Sequence, residues 1–377
     1  MCGLLAAASC MTACNRQATQ AENDGKLTLV VGSYASAADE GIRTFTFDQI
    51  TGECTALCGL RGISNPSFLT VTDDGKRMYA VGENNAEEAT ANLILLDRQT
   101  GSLTLADTKH VHGADPCHLA VSPDSTHLIT ANYSGGSITI FPLKADGEMD
   151  EGQVVMYQYS GPGSQQVLDS WNAGNMGGML YEQYLAQQGF ISLIVDGRGT
   201  GGRGRDFEQC TYLKLGQLES HDQVEAALYA ASLPYVDASR IGIWGWSYGG
   251  FCTLMSMSEG RGVFAAGVAV AAPTDWRYYD SVYTERFMRT PKENGDGYDQ
   301  SPISRAPQLS GHLLLVHGLA DDNVHFRNAA EYTEALVQAD KDFRELTYTN
   351  RNHSIYGGNT RAHLFRQITS HFKQYLQ

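Results

Sequence analysis

The spacing of apolar residues changes near residue 150, and this change constrains the fold more than any other feature of the sequence. Before it, short runs such as Arg43–Phe47 and Ser137–Phe141 alternate polar and apolar residues, with Gly, Asn or Asp between the runs. This alternation predicts antiparallel strands. After it, short apolar runs alternate with helical patterns, which predicts a mostly parallel, doubly wound sheet. We therefore expect an all-β segment over 26–150 and an α/β domain over 151–377.

The all-β segment contains an internal repeat. Pro66–Asp74 realigns with Pro116–Asp124 at an offset of 50 residues, and Met78 then aligns with Leu128. A period of about 40 to 50 residues in an all-β chain is typical of propeller blades. The segment has room for roughly two to three blades, whereas a closed ring needs at least about four. The repeat therefore predicts a partial propeller.

The charge balance excludes one class of partner. Lys and Arg number 27 against 42 Asp and Glu, which gives a formal net charge of −15. A protein this acidic repels polyanions, so we expect no nucleic-acid partner.

The cysteines and the Gly-rich segments predict no cofactor. No Cys, His and Asp cluster has the spacing of a metal site, so we expect no metal. Gly199–Gly204 matches the dinucleotide-binding pattern G-x-G-x-x-G, but no second strand ending in an acidic residue follows it. We interpret the cysteines after residue 50 as mostly buried thiols, with a pairing of Cys54 with Cys58 as the alternative.

The first 25 residues have the character of a targeting segment. Met1–Cys14 is apolar, small residues precede Cys10 and Cys14, and a polar stretch follows it. Cys14 fits better than Cys10 because it leaves a longer apolar region. This pattern is typical of a bacterial lipoprotein signal, in which Cys14 would carry the lipid. It predicts a periplasmic or outer-membrane-associated protein that meets the membrane only through a lipid anchor. No Lys or Arg precedes the apolar run, so an ordinary apolar segment is the alternative.

A nucleophile motif lies inside the α/β domain. Gly245-Trp-Ser-Tyr-Gly249 follows the predicted strand Arg240–Trp244 and precedes the helical run Thr253–Ser258. A nucleophile elbow needs a strand, a turn without bulky flanking residues and a helix whose N-terminus favours negative charge. This context predicts an α/β-hydrolase fold with Ser247 as the nucleophile.

A serine nucleophile needs a histidine base and a carboxylate that orients it, and the fold sets the chain order Ser, acid, His. Asp321 and Asp322 follow one predicted strand, and the sequence pattern does not separate them. His353 lies in the loop after the last predicted strand, whereas His363 and His371 fall inside the last helix. His353 is therefore the predicted base.

Six segments of the second part of the chain form a specific pattern, namely Tyr157–Ser164, Asp196–Gly199, Gly245–Gly250, Asp275–Arg286, Ala320–His325 and Asn352–Gly357. Together they resemble the prolyl oligopeptidase family, and within it the bacterial dipeptidyl peptidase IV type. The resemblance covers essentially all of the last 225 residues. It implies a serine peptidase that acts on peptides with proline in the second position, and it leaves a homodimer open.

Carried over position by position, the resemblance implies a role for each matching residue. Ser247 would be the nucleophile, Asp321 the orienting acid and His353 the general base. The Tyr159 hydroxyl and the Tyr248 backbone N–H would hold the oxyanion. The proline ring would be enclosed by Trp246, Trp276, Tyr279, Tyr283 and Val324. The carbonyl of the residue before proline would be bound by Asn323.

The first part of the chain resembles the seven-bladed lactonases related to bacterial 6-phosphogluconolactonase. Val31–Tyr34, Asn65–Leu69, Asp115–His118 and Ala131–Ser137 carry this resemblance over about 120 residues. It implies a sugar-lactone hydrolase as the alternative function, with Glu83 and His118 as the polar residues to examine. A second alternative is an inactive fused remnant. The propeller of the prolyl oligopeptidase family itself has no counterpart in this sequence. We therefore expect no counterpart of the paired glutamates that hold the substrate amine in that family.

Overall fold

The computed structural model describes residues 25–169, 180–233 and 235–377. Cys14 and nearly all of the predicted leader lie outside the described residues. Within the described ranges, no helix is both long and apolar enough to cross a membrane. The chain forms two compact units. The first runs to Val121 and takes in Ile129–Thr139, and the second consists of Ser122–Leu128 and Ile140–Gln377.

The first ten strands form three small sheets. The sheets have the orders β1-β2-β3, β4-β5-β6-β7 and β10-β9-β8, and neighbouring strands in the first two are antiparallel. The four-stranded meander β4–β7 has the form expected of one propeller blade. The strands are β1 (Lys26–Gly32), β2 (Ile42–Asp48), β3 (Cys54–Leu60), β4 (Leu69–Val71), β5 (Arg77–Gly82), β6 (Thr90–Leu96), β7 (Leu103–His110), β8 (Pro116–Val121), β9 (His127–Asn132) and β10 (Ser137–Pro142).

The 50-residue repeat coincides with two turns that are built alike. The carboxylate of Asp74 accepts hydrogen bonds from Thr72 Oγ1 at 2.5 Å and from the Lys76 backbone N–H at 3.0 Å. The equivalent carboxylate of Asp124 accepts them from Ser122 Oγ at 2.6 Å and from the Thr126 backbone N–H at 3.2 Å. Both turns therefore hold their strands by the same short-range bonding of an aspartate to its own loop. The aligned residues Met78 and Leu128 are both fully buried.

A six-stranded sheet organises the second unit. Its order is β12-β11-β13-β14-β15-β16, and every neighbouring pair is parallel. The sheet confirms the predicted α/β architecture. Its strands are β11 (Gly152–Tyr157), β12 (Phe190–Ile194), β13 (Val236–Trp246), β14 (Ala266–Val270), β15 (His312–Gly318) and β16 (Arg344–Tyr348).

Helices cover both faces of this sheet, because alternate strand residues point to opposite sides. Val154 and Met156 of β11 pack in one core with residues of α3, α4 and α7, whereas Val155 and Tyr157 pack in a second core with residues of α1 and α8. The helices are α1 (Tyr181–Gln187), α2 (Arg205–Gln209), α3 (Gln217–Ala231), α4 (Tyr248–Met257), α5 (Ser281–Met288), α6 (Gly295–Tyr298), α7 (Arg327–Gln338) and α8 (Thr360–Leu376).

The interpretation of the cysteines as mostly buried is wrong. Of the five described cysteines, all free, only Cys252 is buried, and Cys54 and Cys117 are exposed. Cys54 and Cys58 lie in β3 and Cys117 in β8, each of which ends its sheet in the strand order. A terminal strand has a neighbouring strand on one side only, so its side chains are more accessible than those of a central strand.

Candidate active site

The motif around Ser247 forms a sharp turn between β13 and α4. Ser247 has φ 58° and ψ −119°, a left-handed conformation that is costly for a residue with a side chain. The turn is held because the Ser247 backbone N–H donates to the Val270 carbonyl at 2.8 Å. A Cβ on Gly245 would lie 2.4 Å from the backbone of Gly249, so only glycine fits there. The strained turn presents a half-buried serine at the N-terminus of α4.

Asp321 and His353 meet at the carboxyl ends of β15 and β16. His353 Nδ1 lies 2.8 Å from Asp321 Oδ2. The other carboxylate oxygen accepts the backbone N–H groups of Asn323 and Val324, both at 2.9 Å. Burial alone would raise the pKa of Asp321, but hydrogen bonds from His317, His353 and the backbone outweigh it and hold that pKa well below its usual range. The acid therefore stays ionised, so His353 carries its hydrogen on Nδ1 and keeps Nε2 free to accept a proton.

The structure separates the two aspartates that the sequence left open. Asp321 is only 4% exposed, whereas its neighbour Asp322 faces solvent. His317, at the end of β15, supports the buried acid from behind. Its Nε2 donates to the Val324 carbonyl at 2.8 Å and lies 3.4 Å from Asp321 Oδ2.

The other histidines of this region have structural partners of their own. His363 Nδ1 lies 2.8 Å from the Tyr348 hydroxyl, and His371 Nε2 donates to the His312 carbonyl at 3.0 Å. His325 Nδ1 accepts the Arg327 backbone N–H at 3.1 Å. A bond between the Trp246 indole N–H and the His353 carbonyl, at 3.0 Å, ties the His353 loop to the strand that leads into Ser247.

Tyr159 and Tyr248 flank the nucleophile. The Tyr159 side chain interacts with that of Ser247, and burial raises the pKa of its phenol. The phenol therefore keeps its proton at neutral pH and remains a hydrogen-bond donor. Tyr248 follows Ser247 directly and is the first residue of α4, where backbone N–H groups have no partner within the helix. An oxyanion site requires fixed hydrogen-bond donors around one point, and both groups are donors.

An aromatic cluster packs around Tyr248 and Tyr159. Three of its rings come from the segment 276–283, and two aspartates fix the backbone of that segment. Asp275 accepts the Arg277 backbone N–H at 2.8 Å, and Asp280 accepts the Tyr283 backbone N–H at 2.8 Å at the start of α5. The two caps set the chain direction around three aromatic residues. Their ring centroids lie 5.5 to 6.0 Å apart for the pairs formed by Trp276, Tyr279 and Tyr283.

Not every residue predicted for the proline wall joins this cluster. Trp246 packs in the core on the α8 side of the sheet, with the Arg361 guanidinium 4.7 Å above its ring. Val324 is fully buried in the acid loop. The Tyr279 hydroxyl donates to Asn323 Oδ1 at 2.7 Å, which leaves the Asn323 side-chain N–H groups available to a ligand.

The ring of Tyr248 belongs to the aromatic cluster, a feature that the sequence analysis missed. Its centroid lies 5.5 Å from that of Trp276 and 6.1 Å from that of Tyr159. The Tyr248 hydroxyl donates to Glu219 Oε1 at 2.8 Å. The family resemblance implied a role for the backbone of Tyr248 alone, and nothing in the local sequence connects its side chain with α3.

A buried polar network below the oxyanion donors was also missed. Gln158 donates to the Gly249 carbonyl at 2.6 Å and accepts the hydroxyl of Ser160 at 2.9 Å. Gln223 of α3 in turn donates to Ser160 Oγ at 3.3 Å. These bonds fix the loop that carries Tyr159 against the helix that follows Ser247.

The remaining polar residues singled out in the sequence lie in the first unit. Glu83 Oε2 accepts the Tyr34 hydroxyl at 2.8 Å and also the Ser67 hydroxyl. The ring of His118 contacts that of Phe68, with the ring centroids 4.3 Å apart and the ring planes tilted by 38°. Among the residues that the structure describes, no group of three His, Cys, Asp or Glu side chains is arranged to hold a metal ion.

Two protein families match different parts of the chain. Residues 179–377 match the prolyl oligopeptidase family. The chain belongs to that family. Residues 28–170 match the seven-bladed β-propeller lactonases, so the two resemblances inferred from the residues are both found.

Relatives of the second unit are named as dipeptidyl peptidases. A probable dipeptidyl-aminopeptidase B of Fusarium vanettenii is 46% identical over 208 residues, which is 54% of this chain and 22% of that protein. A probable dipeptidyl peptidase 4 of Neosartorya fischeri is 40% identical over 261 residues, which is 66% of this chain and 33% of that protein. The chain thus spans about a fifth to a third of these curated relatives.

Solved structures that are similar to this chain also have names of dipeptidyl peptidases or dipeptidyl aminopeptidases. The crystal structure of Porphyromonas gingivalis dipeptidyl peptidase 4 is 31% identical with a TM-score of 0.57, and the alignment covers 93% of this chain and 62% of that one. A putative dipeptidyl aminopeptidase IV from Bacteroides ovatus is 27% identical with a TM-score of 0.57, and the alignment covers 93% and 48% respectively.

Proposed function

We propose that this chain is a serine peptidase that cleaves after proline through an acyl-enzyme. The observation that carries the proposal is the 2.8 Å bond between His353 and the buried, ionised Asp321, at the same sheet edge as the strained Ser247 turn. Such an arrangement converts an ordinary hydroxyl into a nucleophile. The names of the relatives support a peptide substrate.

Each group has a defined task in the reaction. Ser247 Oγ attacks the carbonyl carbon while its proton passes to His353 Nε2. Asp321 stabilises the imidazolium and keeps its orientation without taking the proton. The Tyr159 hydroxyl and the Tyr248 N–H hold the negative oxygen of the tetrahedral intermediate, and a donor of this kind contributes roughly 3 to 4 kcal/mol in other hydrolases. His353 then protonates the leaving amine. A water molecule next gives a proton to His353 and attacks the acyl carbon, and the bond to Ser247 Oγ breaks as His353 returns the proton to Ser247.

Selection of proline follows from the shape and polarity of the aromatic cluster. A proline ring within a peptide offers no N–H to bind, so apolar contact with Tyr248, Trp276 and Tyr283 is what can distinguish it. The Asn323 amide is oriented by Tyr279 so that it can donate to the carbonyl of the preceding residue. These contacts support a preference for proline over larger, flexible side chains.

A fluorophosphonate probe and a pair of substrates test this proposal. Wild type is expected to be labelled, and Ser247→Ala to lose the label. Ser232→Ala, whose hydroxyl is bonded to the Tyr229 carbonyl in the turn after α3, serves as the matched control and should label normally. The enzyme should also cleave a Gly-Pro aryl amide in preference to a Gly-Leu aryl amide. Absence of labelling in folded protein contradicts the proposal and favours the lactone hydrolase or the inactive remnant.

We further propose that Cys14 carries lipid and holds the protein at a bacterial membrane. The apolar run before Cys14 and the polar stretch after it support this location. Detergent partitioning of the full chain, with Cys14→Ser and Cys10→Ser compared, tests it. Only Cys14→Ser should move the protein to the aqueous phase, and partitioning that survives Cys14→Ser contradicts the anchor.

A further inference from the structure

Glu219 is a carboxyl group buried directly behind the aromatic cluster. It lies in the first turn of α3, and none of its surface is exposed. Its Oε2 accepts the Gly216 backbone N–H at 2.9 Å, and its Oε1 accepts the Tyr248 hydroxyl at 2.8 Å. One carboxyl group thus joins the start of α3 to the residue that follows the nucleophile.

The two partners of Glu219 place a strict demand on its chemistry, because both are donors. A carboxylate accepts at both oxygens and satisfies both partners. A protonated carboxyl group or an amide accepts well at one oxygen only and directs a donor at the second partner. A neutral group at this position therefore loses the bond to Gly216 or the bond to Tyr248, and the buried partner left unpaired is costly.

Tyr248 connects this bond to the proposed reaction in two ways. Its ring lies 5.5 Å from that of Trp276 and 5.4 Å from that of Phe251, measured between centroids, so it forms part of the proline wall. Its backbone N–H is one of the two proposed oxyanion donors. A shift of this one residue would therefore disturb both substrate binding and the oxyanion site.

We propose that Glu219 is a positioning residue for the peptidase reaction, whose carboxylate fixes Tyr248 and through it the proline wall and the oxyanion donor. This inference rests on the proposed function, since it concerns the same site. It adds a requirement that the catalytic residues alone do not show, namely a negative charge behind the pocket.

The surroundings of Glu219 bear on its charge. Burial raises its pKa to about 7. The titratable and charged groups that face it are Tyr248 and Cys252 on α4, Tyr283 on α5, and Asp222 on α3, which is paired with Arg198 through a 2.6 Å bond. Near neutral pH, protonation of the carboxyl group would imitate the amide of a Glu219→Gln variant.

The test compares the kinetics of four enzymes on Gly-Pro p-nitroanilide and on p-nitrophenyl acetate. These enzymes are wild type, Glu219→Gln, Tyr248→Phe and the double variant. Each single change should raise KM for the proline substrate roughly tenfold, and KM for the acetate less. The KM of the double variant should not exceed the higher of the two single-variant KM values, because both changes break the same hydrogen bond. The ratio of the KM of Glu219→Gln to that of wild type should fall towards one as the pH is lowered from about 8 to about 6.

Controls keep the outcomes distinct. Glu182→Gln changes another buried glutamate in the first turn of a helix, α1, and should leave both KM values at the wild-type level. If Glu219→Gln does not fold, Tyr248→Phe alone must still raise KM for the proline substrate. Wild-type KM in either single variant, or additive losses in the double variant, overturns the inference. A wild-type enzyme that is inactive on both substrates contradicts the proposed function instead.

Discussion

At the scale of single residues, the site depends on which of several similar side chains is buried and bonded. Asp321 and Asp322 are neighbours in one loop, yet only Asp321 is enclosed and holds His353 at 2.8 Å. Burial strengthens this pairing, because water no longer competes for the carboxylate and its donors are fixed. The reactivity of Ser247 therefore depends on a bond whose geometry the surrounding loop sets.

The two aspartates provide a matched pair of variants. Asp321→Asn should lower kcat by roughly 10³- to 10⁴-fold, because an amide no longer fixes the His353 tautomer or stabilises its positive charge. Asp322→Asn has the same chemistry on an exposed side chain and should leave kcat within roughly twofold. Steady-state kinetics on an aryl ester checks both. A loss from Asp322→Asn comparable to that from Asp321→Asn would contradict the assignment of the acid.

The histidines provide a second pair. His353→Ala should lower kcat/KM by several orders of magnitude while the thermal unfolding midpoint changes little, since the ring is partly exposed. His363 lies in α8, and His363→Ala, which removes its contact with Tyr348 of β16, should keep most of the activity. If activity falls equally in the two variants, His353 is not the base.

At the scale of helices and strands, the alternation of apolar residues predicts the elements well, because it reports directly which faces are buried. The predicted strand Arg240–Trp244 lies within β13. The start of α4 was predicted five residues too late. Tyr-Gly-Gly is a poor helix-forming sequence, and tertiary packing overrides that preference.

The reason for these glycines is steric, and a substitution makes it measurable. A Cβ on Gly249 would lie 2.5 Å from the Gln158 carbonyl oxygen. Gly249→Ala should therefore destabilise the fold by roughly 1 to 3 kcal/mol and reduce fluorophosphonate labelling. Gly295→Ala is the control, because its Cβ would meet open space at the start of α6, and it should change stability by less than about 1 kcal/mol. Denaturant unfolding of both variants measures the difference, and equal stability would contradict the steric argument.

Helix α8 carries a pH-dependent contribution to stability. Burial lowers the pKa of His371 to about 4, below its ordinary value of 6.5. The unfolded chain therefore binds a proton that the folded chain does not bind between these two values, and stability should fall as the pH drops from about 6.5 to about 4. The loss from this group is of the order of 3 kcal/mol. His371→Gln keeps a donor but not the titration, so its unfolding free energy should depend less on pH in this window. An unchanged dependence would contradict this role for His371.

The part of the site that the sequence did not predict depends on contacts between distant segments. Glu219 precedes Ser247 by 28 residues, and Gln223 lies in the same helix. Neither belongs to a pattern with a chemical meaning of its own, so only folding shows that Glu219 contacts Tyr248 and that Gln223 contacts Ser160. The candidate catalytic residues could be predicted because each lies shortly after a strand, in a fixed chain order.

At the scale of the whole molecule, two units of different kinds share one chain. The second carries the six-stranded sheet with Ser247, Asp321 and His353 and the match to the prolyl oligopeptidase family, whereas the first lies in the part of the chain that matches the seven-bladed β-propeller lactonases. Ester hydrolysis and dipeptide release require different groups in the site. An activated ester needs the nucleophile, the oxyanion donors and an apolar pocket, all of which lie between Tyr159 and His353. Dipeptide release also needs an acidic anchor for the substrate ammonium group.

This difference predicts the relative activities of the chain on two substrates. No pair of glutamates between residues 26 and 143 resembles the family's anchor, and Glu87 and Glu88, which are adjacent glutamates in that segment, are both exposed. A missing charge-assisted bond costs roughly 1.5 to 3 kcal/mol, or about ten- to a hundredfold in kcat/KM, and the substrate is also positioned less well. We therefore expect kcat/KM for an aryl ester to exceed that for a Gly-Pro anilide by more than the ordinary difference in reactivity between the two substrates. Acetylating the amine of the anilide should then change its kcat/KM little, because the glutamates of residues 26–143 form no pair that resembles the anchor. Efficient dipeptide release that is abolished by acetylation would contradict the prediction.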